Sequence, residues 1–198
     1  MRGAARFRLL CLLTTACMAF GCGGAAPQAV VTSPFEAEDA DIFDDGADFV
    51  ADPTLLEGRW REDWADEFVD RIDKSDVIAL VRIVTVRTSV DLNHRTSYHL
   101  VPESKQGVWQ ELPDSVELVV REGAPGYASV DHALERLQRG EYMLFIKWYT
   151  NDVGQVAAHW HLSPGTSPVI ARTLYLVERR RLPENQRHRI TVVTHENG

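Results

Sequence analysis

Apolar positions along the chain gather into short, dense runs, and the densest is Asp76 to Arg87, DVIALVRIVTVR. Its odd positions (Val77, Ala79, Val81, Ile83, Thr85) and its even ones (Ile78, Leu80, Val84, Val86) are almost all apolar and largely β-branched. A run apolar on both faces predicts a strand covered on both sides, the central strand of one β-rich domain. The uninterrupted odd face is expected to point inward. The even face carries Arg82 and is expected to point outward, under a helix whose acids neutralise that charge.

That helix is predicted just upstream. Trp60, Trp64, Phe68 and Ile72 recur every four residues among Arg59, Arg61, Glu62, Asp63, Asp66, Glu67, Asp70 and Arg71. This is one aromatic stripe on a charged helix, suited to core packing. Thr54 to Glu57 has the Thr-x-x-Glu form of a capping box after Pro53 and would open it.

Downstream, Thr96 to Val101 is expected to pair back as a hairpin, Pro102 to Pro113 to be loop, and Ser115 to Arg121 to form a third strand. Val130 to Arg139 has the pattern of a short helix stopped by Gly140. Glu141 to Thr150 (EYMLFIKWYT) is the second strongly apolar strand, and Gln155 to Leu162 returns beside it after the Asn151 to Gly154 turn. Ala171 to Arg180 and Arg187 to His195 are expected to form a last hairpin; a helix over Val169 to Arg179 is the competing reading, since Ile170, Thr173, Leu174 and Val177 also fit its period.

Taken together, SDVIALVRIVTV, VELVVREG, a short helix and LQRGEYMLFIKW with its returning strand resemble the OB-type barrels of netrin/TIMP-like exported domains. Gly140-Glu141-Tyr142-Met143-Leu144-Phe145-Ile146 is the part most similar to small exported bacterial members. The resemblance covers about Ser75 to Leu162. It implies a mainly β fold, a small OB-like antiparallel barrel with an N-terminal covering helix and one short internal helix. TIMP-type inhibition uses an N-terminal cysteine amine and disulfides. Neither is present in residues 53–198, so that activity does not carry over.

Charge divides the chain. The formal net charge is −8, but nine acids (Glu36, Glu38, Asp39, Asp41, Asp44, Asp45, Asp48, Asp52, Glu57) precede Arg59 with no base among them. From Arg59 onward 18 basic residues face 20 acidic ones. The folded part is nearly neutral and lacks the concentrated positive surface that nucleic-acid binding requires. The acidic stretch reads as a flexible tether spacing the domain from a membrane. An EF-hand frame does not fit it: with Asp41 at position 1, Gly46 reaches position 6 but Phe43 takes position 3.

Met1 to Arg8 is basic and Leu9 to Phe20 is apolar but too short for a stable membrane span, the form of an export signal. All three cysteines (Cys11, Cys17, Cys22) lie in or at the end of that signal, which leaves no thiol chemistry or disulfide in the mature domain. Ala19-Phe20-Gly21-Cys22 resembles the lipobox of bacterial lipoproteins, with Ala19 where Leu is usual. The resemblance implies cleavage before Cys22 and its diacylation, with acyl chains such as palmitate as the membrane anchor. Gly23 in place of Asp favours the outer membrane. The expected organisation is therefore a signal peptide over 1–21, a lipidated acidic tether over 22–52, and a barrel domain with a C-terminal hairpin over 53–198.

Candidate chemistry is sparse. His159 and His161, two apart on a predicted strand, share a face and have metal-chelating spacing, with His99 or Asp152 as conceivable third ligands and Trp160 facing the core. Arg179, Arg180, Arg181, Arg187, His188 and Arg189 form a basic cluster suited to an anionic surface or to the chain's own acidic tether. No Gly-x-Ser-x-Gly, phosphate loop or dinucleotide fingerprint occurs. The expected function is a lipid-anchored cell-envelope binding module without catalytic activity or cofactor, monomeric, meeting an envelope protein or glycan and no nucleic acid. The alternative is a metal-binding protein or metal-dependent hydrolase centred on His159 and His161.

Overall fold

The computed structural model describes residues 28–187. Cys22, Arg189 and most of the second limb expected for the C-terminal hairpin lie outside the described residues.

The apolar run at 76–87 begins β2 (Val77–Val90), which pairs antiparallel with β3 (Thr96–Trp109). Beyond β3 lies β4 (Leu118–Arg121), joined by pairs such as Leu100 with Leu118. Two short helices, α3 (Tyr127–Asp131) and α4 (Leu134–Arg139), then lead into β5 (Glu141–Thr150). That strand pairs with the other side of β2, from Arg82 with Glu141 to Val77 with Ile146. β6 (Val156–Pro164) folds back on β5, and the two-residue β1 (Gly46–Ala47) lies parallel to β6. The sheet order is β1-β6-β5-β2-β3-β4. The sheet curls into a nearly closed barrel, in which Trp160 on β6 donates its Nε1–H to the carbonyl of Val119 on β4 at 3.3 Å. The fold is mainly β and barrel-like. Its sheet is mixed, not wholly antiparallel, because of β1.

Two apolar layers follow from the side-chain alternation of the strands. Val77, Ala79, Val81 and Ile83 of β2 pack inside the barrel with Leu100, Leu118, Val120, Leu144, Ile146, Trp160 and Leu162. Ile78, Met143 and Phe145 point outward beneath α2 (Arg59–Lys74) and α5 (Ser167–Arg181), where Phe68, Ile72, Val169, Leu176 and Val177 cover them. A strand buried on both faces needs apolar residues at nearly every position, which accounts for the unbroken run in β5. Arg82 is half-exposed on the outer face as expected. Its partner, however, is Glu141 across the sheet at 3.9 Å, not an acid of the helix.

Several expected elements change. The capping box does not open the helix: Asp52 accepts the Thr54 N–H at 2.9 Å to cap a single turn over Pro53–Leu55. Gly58, at φ 54°, redirects the chain so that α2 starts at Arg59. Trp60 is consequently exposed, whereas Trp64, Phe68 and Ile72 pack inward. β3 continues through the expected loop to Trp109. Pro102 is tolerated because it pairs at a register shift beyond the last β4 partner, where a missing N–H breaks no ladder bond on that side. The span Ala171 to Arg180, expected as a hairpin limb, is helical. Pro168 occupies the first turn, and Val169, Thr173, Leu176 and Val177 bury one face at helical spacing.

The acidic segment differs most from a solvated tether. α1 (Asp39–Ile42) buries Ile42, and the next residue, Phe43, is 1% exposed against the outer apolar layer. Arg71 donates its Nε–H to the Ile42 carbonyl at 3.0 Å, and Lys74 meets Asp39 at 2.8 Å. The interspersed Phe43 and Ile42 give this segment apolar area to bury, which the net charge obscures.

Phe43→Ala is expected to lower unfolding stability by about 3–5 kcal/mol, read by urea denaturation. A change within about 0.5 kcal/mol, as for a surface site, would show that the segment is not part of the fold.

Candidate functional site

On β6, alternation sends Trp160 into the barrel, fully buried, and places His159 and His161 on the opposite face. The acidic segment runs alongside. Asp45 N–H donates to the Trp160 carbonyl at 2.9 Å and Asp48 N–H to the Leu162 carbonyl at 2.9 Å, so β1 carries three carboxylates past the two imidazoles. His159 Nδ1 is 3.0 Å from Asp45 Oδ2. His161 lies between two acids, with Nδ1 2.8 Å from Asp44 Oδ1 and Nε2 3.3 Å from Asp48 Oδ2. Ser163 donates to Asp48 at 2.6 Å, and the Trp160 N–H donates to Asp45 Oδ1 at 3.1 Å. Phe35 and Tyr149 stack on the His159 ring with centroids at 4.2 and 4.4 Å.

Close backbone approach makes this register possible. Gly126 N–H donates to the Asp44 carbonyl at 2.8 Å, and a Cβ on Gly46 would meet Gly126 Cα at 2.7 Å. A side chain at either glycine would push β1 from the loop at Gly126 that packs on it.

The electrostatics of the three acids diverge. Burial raises the Asp44 and Asp48 carboxyls, but the hydrogen bond and charge of His161, with Arg71 beside Asp44 and Ser163 on Asp48, hold both below the ordinary 3.8. At Asp45 burial wins over His159 and pushes the carboxyl up. Each imidazole is thus engaged by its own carboxylates, and the set forms a hydrogen-bonded seam joining the leader to the barrel. Among the described residues no group of three or more His, Cys, Asp or Glu is arranged to hold a metal ion. His99 does not join it: its ring lies between Glu117, 3.2 Å from Nδ1, and Ser89, 2.9 Å from Nε2. That Ser-His-Glu row runs from Ser89 on β2 across His99 on β3 to Glu117 just before β4, beside Arg87, as a partly exposed cross-strand polar ladder does.

The Arg cluster is mostly engaged within the chain. Arg179 meets Asp73 at 3.6 Å, and Arg181 pairs with Glu178 and donates to the Val108 carbonyl at 3.3 Å. Arg180 donates through Nη1 to the carbonyls of Ile72 and Ser75 at 2.7 and 2.8 Å, satisfying the C-terminal end of α2 and the residue after it, while its guanidinium lies 4.3 Å over Trp109.

Around Arg180 the structure forms a cleft of about 790 Å³, the feature that sequence reasoning missed. Trp109 provides a half-buried aromatic wall, Trp148 lies buried behind it at 5% exposure, and Gln28, Thr32, Asp76, Gln110 and Glu111 provide polar groups. At its base Asp76 accepts the Trp148 N–H at 2.8 Å and the Thr32 hydroxyl, and sits 3.5 Å from the buried Lys147 ammonium, which also donates to Ser33 at 2.5 Å. Gln110 at φ 55° turns the chain out of β3 at the rim. The only sequence signal was Val108-Trp109 inside a stretch expected to be loop.

The seam makes stability depend on acid in a definite sense. Carboxyls depressed in the fold, Asp44 and Asp48, stabilise it above the unfolded carboxylate range and lose that contribution as pH falls through their lower folded values. Asp45, raised, has the opposite sign and costs stability once ionised. Asp48→Asn should therefore lose stability less steeply than the natural chain between pH 5 and 2.5 (about the carboxylate range) in urea titrations, and Asp45→Asn more steeply. Parallel curves for all three proteins would show that the seam carries no such linkage.

No family model matches the chain, and no curated protein or solved structure shows significant similarity to it.

Proposed function

We propose that this is a lipid-anchored cell-envelope module that binds a glycan in the cleft beside Trp109. The cleft carries the reading: the half-buried indole of Trp109 suits the apolar face of a sugar ring, while amide, carboxylate and guanidinium groups suit its hydroxyls. The barrel connectivity supports it. A β2-β3-β4 meander, a helical link, then β5 and β6 returning toward β4 is the order of an OB-type barrel, a scaffold whose faces and loops bind oligosaccharides among other ligands. The lipobox-like Ala19-Phe20-Gly21-Cys22 supports an anchor at Cys22 and an outer-membrane address. The metal reading for His159 and His161 gains no support from the seam, where His159 Nδ1 and both ring nitrogens of His161 face aspartates.

Titrating residues 22–198 with soluble β-linked N-acetylglucosamine oligosaccharides should change tryptophan fluorescence saturably. Trp109→Ala should weaken the interaction by about 2 kcal/mol, roughly thirtyfold in Kd. Absence of saturable binding, or equal affinity in the variant, refutes the cleft as the glycan site. For the anchor, intact mass of detergent-extracted protein should show a diacylglycerol adduct at Cys22; an unmodified chain starting beyond that residue refutes lipidation.

A further inference from the structure

The seam changes what the leader does for an anchored protein. As a free tether, residues 22–52 would have a root-mean-square reach of about 30 Å and allow the barrel to tumble. In the structure the chain is docked from its first described residues. Gln28, Val30 and Thr32 line the Trp109 cleft, Thr32 and Ser33 reach Asp76 and Lys147, Phe35 stacks on His159, and Asp44 to Asp48 lie along β6. Six residue steps separate Cys22 from Gln28. Fully extended, they span about 20 Å, less than the diameter of the domain.

We infer that the docked leader is a strap that holds the face around Gln28, Val30, Trp109, Gln110 and Arg180 against the lipid headgroups of the anchoring membrane. This rests on the lipid anchor at Cys22 proposed above. The chemistry of the face fits that partner. Val30 is exposed, Trp109 is an amphipathic ring at the rim, and Arg180 brings a guanidinium to the same face. The β2–β3 hairpin tip, with Leu92 wholly exposed, projects elsewhere: no residue from 78 to 108 lines the cleft. A glycan reaching this cleft is then one carried by, or lying at, the membrane surface.

The test separates this inference from its premise. Cys22 is the sole cysteine of residues 22–198, so a chain produced without residues 1–21, which bypasses export and keeps its thiol free, can be coupled there to a maleimide-bearing lipid independently of native acylation. The conjugate is placed in phosphatidylethanolamine/phosphatidylglycerol vesicles containing a headgroup-diazirine lipid, irradiated, and mapped by peptide mass spectrometry. Adducts are expected on peptides containing Val30, Trp109 to Glu111 and Arg180, and to be missing from the peptide containing Leu92. A second protein carries a flexible Gly/Ser insert of about 20 residues after Gly23, adding roughly 25 Å of reach without touching the described fold. In it the asymmetry is expected to disappear. Adducts spread evenly over the first protein overturn the inference, and so does an asymmetry that survives the insert, since the strap would then not be its cause. Failure of native acylation in the intact-mass measurement would refute the anchor alone.

Discussion

A carboxylate taken out of water must be matched by charge and hydrogen bonds, and Asp76 imposes that requirement where the main elements of this protein meet. It is the residue immediately before β2, its side chain is 4% exposed, and its own N–H donates to the Ile146 carbonyl at 2.7 Å. Its oxygens are met by the Trp148 N–H, the Lys147 ammonium and the Thr32 hydroxyl. Two of these belong to β5 and one to the leader. Lys147 is itself buried and takes Ser33 as a further acceptor. Neither charge is matched unless β2, β5 and the start of the leader come together. This pair fixes the junction at which the cleft opens, with Trp148 buried behind one wall and Arg180 bridging from α5 to the end of α2 on another.

The strand core was legible because its causes are local. Alternation in β2 and double-sided burial in β5 are written into consecutive residues, so Val77, Val81 and Ile83 inside and Arg82 outside follow from periodicity. The same holds for Trp160 pointing inward between two outward histidines. Where two periods fit the same residues, the sequence was ambiguous. Val169 to Arg179 satisfied both strand and helix, and the decision lay in the tertiary surface that Val169, Thr173, Leu176 and Val177 cover. The strand across Pro102 was illegible for a related reason: proline blocks a central strand, and only the actual neighbours show that this stretch has a free edge.

The sites were harder still. His159 and His161 were visible as a pair on one face, but their partners Asp44, Asp45 and Asp48 lie more than a hundred positions away. Those acids belong to a segment whose net charge reads as solvated. Composition averages over that segment; the fold uses its residues one at a time. Ile42 and Phe43 bury, Gly46 permits close approach, and three acids meet two imidazoles. Trp109 and Trp148 come from strands that are not adjacent in the sheet, so nothing in the linear pattern could have shown that they flank one cleft.

The acidity of the leader then has a physical reading different from solubility. A segment with nine carboxylates and no base has a poor chance of docking on an acidic domain, and the region from Arg59 onward is itself slightly acidic. Docking is favourable only along a track where cations and donors are concentrated. Lys147, Lys74, Arg71 and the two histidines form such a track, from the cleft around the outer layer to β6. Off that track the acids meet like charge, so register is specified by repulsion as well as attraction. A neutral, Gly/Ser-rich leader of the same length would have no such preference, and a basic one would seek the acids of α2. The charge that makes the segment look like a tether acts with the burial of Ile42 and Phe43 to confine it to one path across the barrel.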